Sequence, residues 1–173
     1  MRFRRKTAPF IKFMTGLKRA IKNDIILKRF DVRNADEKEG QGQVSNVIQN
    51  YLVKHFKDYA NPQLKAANEF YWEGQRRRGG PAPQIFDSRN YPDFVIHSPY
   101  LIAIEYKLSE SGSLVKEGIG QCMMHTFGGE YDFSLLVFHD KNKSKSICQA
   151  STKKQEKSVV KKFEELNVFS CFI

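Results

Sequence analysis

Hydrophobic positions along this chain change their period several times, and each change marks an element. Val44, Val47, Ile48, Tyr51 and Leu52 recur at three- and four-residue spacing, which predicts a first core helix. Residues 69–73 (EFYWE) are aromatic and compact, as a strand is, and they run into GQRRRGGPAPQ, where glycine and proline exclude regular structure to about residue 90. Two short apolar segments follow, 93–97 and 101–107, and the Ser98-Pro99-Tyr100 link between them predicts a hairpin. Residues 113–127 have helical character, with Leu114, Ile119, Met123 and Phe127 available for an inward face. FSLLVF at 133–138 is an unbroken apolar run of strand length, the pattern of a central strand covered on both sides. After a lysine-rich surface loop at 141–145, residues 153–166 predict a helix turned inward through Val159, Val160, Phe163 and Leu166, and 168–173 a last strand. A helix, three strands, a helix, a strand, then another helix and strand predict an α/β sandwich around a mixed sheet.

The hairpin carries a finer expectation. Alternation along 101–107 puts Ala103, Glu105 and Lys107 on one face and Ile102, Ile104 and Tyr106 on the other. With a three-residue loop, antiparallel pairing sets Asp93 directly opposite Glu105; a two-residue loop would turn Asp93 to the wrong face.

Composition narrows the class. The 173 residues suit one domain with decorations, and no apolar run approaches the roughly 20 residues that span a bilayer. Lys12 and Lys18 interrupt what would be the apolar centre of a secretory signal, so a cytoplasmic, intracellular protein without membrane attachment is expected. Cys122, Cys148 and Cys171 stand far apart with no C-x-x-C pair, which points to buried thiols and away from zinc ribbons and iron-sulfur clusters. The net charge of +10 is concentrated at the start, where residues 1–33 hold eleven Lys or Arg against Asp24 and Asp31. A basic segment of this kind, Arg4 and Arg5 included, suits a polyanion, nucleic acid first of all. An amphipathic helix packed by Phe10, Ile11, Phe13, Met14 and Leu17 accounts for it equally well, and the two readings are compatible. The expected division is a basic arm at 1–35 and a domain at 36–173.

Within YPDFVIHSPYLIAIEYK, Pro92-Asp93 is followed by Glu105-Tyr106-Lys107. Two carboxylates placed that close repel one another unless a cation lies between them, and oxygen ligation with open water positions suits Mg²⁺ or Mn²⁺. The string resembles the PD-(D/E)xK nuclease superfamily. That resemblance implies a restriction-endonuclease-like core (α-β-β-β-α-β) with a mixed sheet, a metal held by Asp93 and Glu105, and Lys107 assisting the attacking water. It also implies metal-dependent hydrolysis of DNA, endonucleolytic or by a RecB-like exonuclease. Gly120-Gln121-Cys122-Met123-Met124-His125 is similar to the Q-x-x-x-Y element of RecB-like relatives, with His125 in place of the tyrosine, so Gln121 inherits a supporting role.

Members of the superfamily commonly supply a further acid from the first core helix. Here Glu39 is the first choice for it, Glu37 the second, and Gln43 a possible contact through its carbonyl oxygen; Glu73 is a further outer acid. Arg76, Arg77 and Arg78, in the glycine-rich loop, are suited to clamp phosphates. His55, His97 and His139 show no metal-ligand spacing and read as structural, and so does His125 unless Gln121 draws it into the site. A catalytically inactive nucleic-acid-binding protein on the same scaffold is the alternative, and self-association into a homodimer stays open.

Overall fold

A computed structural model describes residues 4–73, 84–85 and 88–173. The chain opens with α1 (Ala8–Asn23), whose first turn is capped by the Thr7 hydroxyl and contains Pro9. A short α2 (Ile25–Arg29) leads to α3 (Glu37–His55), set by a capping box in which Asp36 accepts from the Glu39 N–H while the Glu39 carboxylate accepts from the Asp36 N–H. Asn61 caps α4 (Pro62–Glu69), which runs directly into strand β1 (Phe70–Trp72). Then come β2 (Gln84–Ile85) and β3 (Ser88–Arg89), β4 (Phe94–Ile96), β5 (Ile102–Ser109), α5 (Gly112–Phe127), β6 (Phe133–Asp140), α6 (Ser146–Ala150), α7 (Lys154–Glu165) and β7 (Val168–Phe172).

Five strands form one mixed sheet in the order β1-β4-β5-β6-β7. The first three make an antiparallel meander, and β6 and β7 run parallel to β5, each reached through a helical crossover. The protein is thus an α/β fold with an open mixed sheet between helices. Alternation sorts the sheet's side chains as expected. Ile102, Ile104, Tyr106, Phe133, Leu135 and Val137 join the core formed with α1 and α3. Leu136, Phe138 and Val168 meet Cys122 of α5 on the opposite face. All of β6 is buried, as its continuous apolar run requires.

Helix α1 belongs to the main core. Phe10, Phe13, Met14, Leu17 and Ile21 are buried, and the Phe10 ring stacks on Phe133 of β6 at 3.7 Å between centroids. Ile11 lies on the outer side, 43% exposed. Two glycines permit close helix–sheet contact. A Cβ at Gly40 of α3 would lie 2.1 Å from the Tyr106 hydroxyl oxygen, and one at Gly118 of α5 would lie 2.5 Å from Leu136 Cδ1.

Several elements depart from the sequence pattern. Helix α4 occupies a stretch to which the periodicity assigned nothing, and the span expected to be pure loop contains the β2–β3 hairpin. The buried face of α5 is Gly118, Cys122, His125 and Thr126; Leu114, Ile119 and Met123 sit half-buried at its flank. Helix α7 buries no residue fully, and Val159 is 43% exposed. The last crossover lies at the rim of the sheet, so an amphipathic sequence there is only half covered. Among the described residues no helix is long and apolar enough to cross a membrane.

Candidate active site at the β4–β5 hairpin

The hairpin register is the one a three-residue loop dictates. Phe94 pairs with Ile104, Val95 with Ala103 and Ile96 with Ile102, so one further step along the ladder sets Asp93 across from Glu105. Asp93 lies just before β4 and turns its carboxylate to the β5 backbone, where Oδ2 accepts the Tyr106 N–H at 2.7 Å. Its Oδ1 accepts from Gln41 Nε2 of α3 at 2.9 Å, and Trp72 Nε1 lies 3.5 Å from the other end of the same amide. Three elements therefore fix one carboxylate: the hairpin, the first turns of α3 and the end of β1. The N–H of Glu73 also bonds the Asp93 carbonyl at 3.0 Å.

Glu105 is 2% exposed, with Oε1 2.5 Å from His125 Nε2 of α5. Lys107, one alternation further on, is half-buried and paired at 3.4 Å with Glu117, a mostly exposed residue of α5. The stem of Lys107 runs beside Gly118, where an added Cβ would be 3.2 Å from its Cγ. Gly118, Gln121 and His125 follow at helical spacing, which lays Gln121 between the turn that touches Lys107 and the turn that touches Glu105. Gln121 Oε1 is buried and has no hydrogen-bond partner among the described residues.

The acids express their crowding as proton affinity. Burial first, then the charge of Glu105, pushes Asp93 up to about 7, against the opposing Tyr106 N–H and Lys107. Burial pushes Glu105 up to about 8, with Lys107 opposing and Glu37, Glu73 and Glu117 adding to it. Burial works against the charge of Lys107, but Glu105, Glu37, Asp93 and Glu117 outweigh it and hold the amine protonated above its ordinary range. Left to themselves at neutral pH, the two buried carboxylates thus compete for protons, the state that a nearby divalent cation relieves.

From the first core helix it is Glu37 that belongs to this electrostatic group: burial raises its pKa, Lys107 lowers it and Glu117 raises it again. Glu39, the first choice from sequence, spends its carboxylate on the capping box, and the α3 amide that reaches Asp93 comes from Gln41 rather than Gln43. Arg4 pairs with Asp132, while Lys6 and Lys18 both bond Glu164, so part of the basic start serves to fasten α1 to the domain. Arg5 is exposed, and Arg76, Arg77 and Arg78 lie outside the described residues. His139 is buried against Tyr106, its Nδ1 3.1 Å from the Tyr106 hydroxyl, in keeping with a structural role.

Among the described residues no group of three His, Cys, Asp or Glu side chains gathers into a ready-made metal cluster. The donor set is two carboxylates with an unpaired amide oxygen close by in the helix register. That set suits a hard divalent cation that keeps several waters and takes one or two protein carboxylates. No family model matches the chain, and neither a curated protein nor a solved structure matches it.

Proposed function

We propose that this chain is a metal-dependent nuclease of the PD-(D/E)xK type, hydrolysing DNA phosphodiester bonds on a restriction-endonuclease-like core. The observation that carries the reading is the meeting of Asp93, Glu105 and Lys107 across β4 and β5, in the register the motif requires. The antiparallel meander, the α5 crossover and the parallel β6 supply the order of elements that such a core has. DNA as the substrate rests on the resemblance, together with the basic surplus of residues 1–33.

Asp93 and Glu105 would hold Mg²⁺ or Mn²⁺, which, when bound, polarises a phosphate oxygen and makes water a better nucleophile near neutral pH. Asp93 enters this role already oriented by Tyr106 and Gln41. Lys107 stays protonated among its acidic neighbours, so its ammonium offsets the negative charge that grows on phosphorus-bound oxygens as the nucleophile adds. Glu117 tethers that ammonium from the solvent side and Glu37 supports it from α3, which keeps it at the mouth of the site. Gln121 is placed to accept a hydrogen bond from an ordered water through its unpaired oxygen.

Linear, circular, single-stranded and branched DNA incubated with wild type, Asp93→Ala and Lys107→Ala, in Mg²⁺, Mn²⁺ or EDTA, tests the proposal. Cutting by wild type that needs the metal and is lost in both variants is the expected result. Tight DNA binding without cutting under every condition would instead establish the inactive scaffold.

A further inference from the structure

The buried partner of Glu105 has no counterpart in the chemistry described so far. His125 is fully enclosed, 0% exposed, with the Tyr131 ring edge-on at 5.7 Å and its Nε2 2.5 Å from Glu105 Oε1. Its second nitrogen, Nδ1, is also buried and has no hydrogen-bond partner among the described residues.

That orphan nitrogen decides which way the short bond points. If the Glu105 carboxyl donated to Nε2, the neutral ring would carry its own proton on Nδ1, an N–H sealed away from any acceptor. If Nε2 carries the ring proton and donates to a carboxylate, Nδ1 is left with only a lone pair. Buried N–H groups without acceptors are the rarer and costlier of the two orphans, so the second arrangement is favoured.

The position of the ring is fixed from the helix. Gly118 lets α5 approach until it touches Leu136 and the Lys107 stem, and His125 lies two turns further along the same buried stripe. The ring therefore comes to Glu105 from the α5 layer, whereas Asp93 is held from the hairpin and α3.

Resting on the nuclease reading, we infer that His125 is a positioning residue for Glu105. Its Nε2–H occupies Oε1 of the carboxylate and leaves Oε2 as the oxygen available to a divalent cation shared with Asp93. His125 touches neither cation nor substrate in this role and acts through Glu105 alone. Partners that orient a metal-binding carboxylate in this way typically govern affinity by 10- to 100-fold.

Calorimetric titration of the full chain with Mn²⁺, without DNA, reads this directly. His125→Met fills the volume without a donor and should weaken Mn²⁺ binding about 10- to 100-fold. His125→Gln offers an amide N–H at similar reach and should recover most of the affinity. Circular dichroism and thermal unfolding of the cation-free variants check that each is folded. Should His125→Met not fold, nitrogen NMR of the wild-type imidazole in Mg²⁺ supplies the second measurement, with a protonated Nε2 and a bare Nδ1 expected. Wild-type Mn²⁺ affinity matched by a folded His125→Met, or a proton found on Nδ1 in the Mg²⁺-loaded protein, would overturn the inference and leave the nuclease reading intact. A wild type that binds no Mn²⁺ at all would end both.

Discussion

The Asp93 carboxylate accepts the backbone N–H of Tyr106 at 2.7 Å, which ties the first acid of the motif to the residue lying between Glu105 and Lys107. Because the link runs through main chain, the identity of side chain 106 is free to serve the opposite face of the sheet, where the Tyr106 ring packs under α3 and its hydroxyl meets His139.

That arrangement separates folding from chemistry at position 93. Asp93→Asn keeps an acceptor for the Tyr106 N–H and removes a buried charge, so the cation-free variant at pH 8 should melt at or above the wild-type temperature. Metal-dependent cleavage should be lost with it. Differential scanning calorimetry beside a cleavage assay checks both halves, and a marked drop in melting temperature would show that the charge itself stabilises the hairpin.

The two glutamates at the start of α3 should behave differently. Glu39→Ala removes half of a capping box and should cost about 1 kcal/mol in urea unfolding, with cleavage per folded molecule nearly unchanged. Glu37→Gln should leave stability nearly unchanged and reduce cleavage or Mn²⁺ affinity, since Glu37 is the α3 acid whose charge reaches Lys107, Glu105 and Asp93.

Stability should depend on pH in a way that metal abolishes. Asp93 at about 7 and Glu105 at about 8 lie above their ordinary values of 3.8 and 4.5, so the folded state holds extra protons and loses that advantage as pH rises through 7 and 8. His125 and His139, pressed by burial to about 4 from 6.5, act in the opposite sense, and their rise in stability is complete only by about pH 7.5. Between pH 6.5 and 8 the carboxylates outweigh the tail of that rise, and cation-free protein should lose about 1–2 kcal/mol over that window. Urea titrations in EDTA should show the fall, Glu105→Gln should reduce it, and saturating Mn²⁺ should flatten it. A rise in stability across the same window in EDTA would contradict the assignment.

Gly40→Ala probes the contact between α3 and β5. The new methyl would lie 2.1 Å from the Tyr106 hydroxyl oxygen and 2.7 Å from Cζ, and the buried tyrosine has little room to move. A loss of about 1–3 kcal/mol is expected, as for other overpacked interiors. Tyr106→Phe in the same chain should recover part of it, measured as a double-mutant cycle in urea.

Much of this site could be read from the residues. Alternation in 101–107 and the three-residue link at Ser98–Tyr100 gave both the face and the register of Asp93, Glu105 and Lys107, because a strand's period of two leaves no intermediate choice. The identity of the α3 acid depended instead on helical phase, which is set by where the helix begins. Asp36 and Glu39 carry a capping-box spacing that marks that start, puts Glu39 to work as a cap, and sets Glu37 and Gln41 one turn apart on the side facing the hairpin. His125 was obscured because the hydrophobic residues of α5 point to a face through Leu114, Ile119 and Met123, whereas the buried stripe is built on Gly118 and Cys122. A helix that must approach a charged strand closely does so through small residues, and hydrophobicity alone does not reveal them.

The basic start of the chain is the clearest case of a pattern serving two purposes. Leu17 is 0% exposed within the core shared by α1, α3 and the sheet, and Leu17→Ala should cost about 2–5 kcal/mol in chemical unfolding. Removing residues 1–33 would strip core along with charge.

The docking of α1 also decides how its charge can be displayed. Lys12, Arg19 and Lys22 project from a helix bolted to β6 and β7, at spacings the helix dictates. If DNA is the substrate, as proposed, it would meet these cations at fixed spacing, and a duplex whose phosphates fall out of step with them would gain little from them however strong the overall attraction.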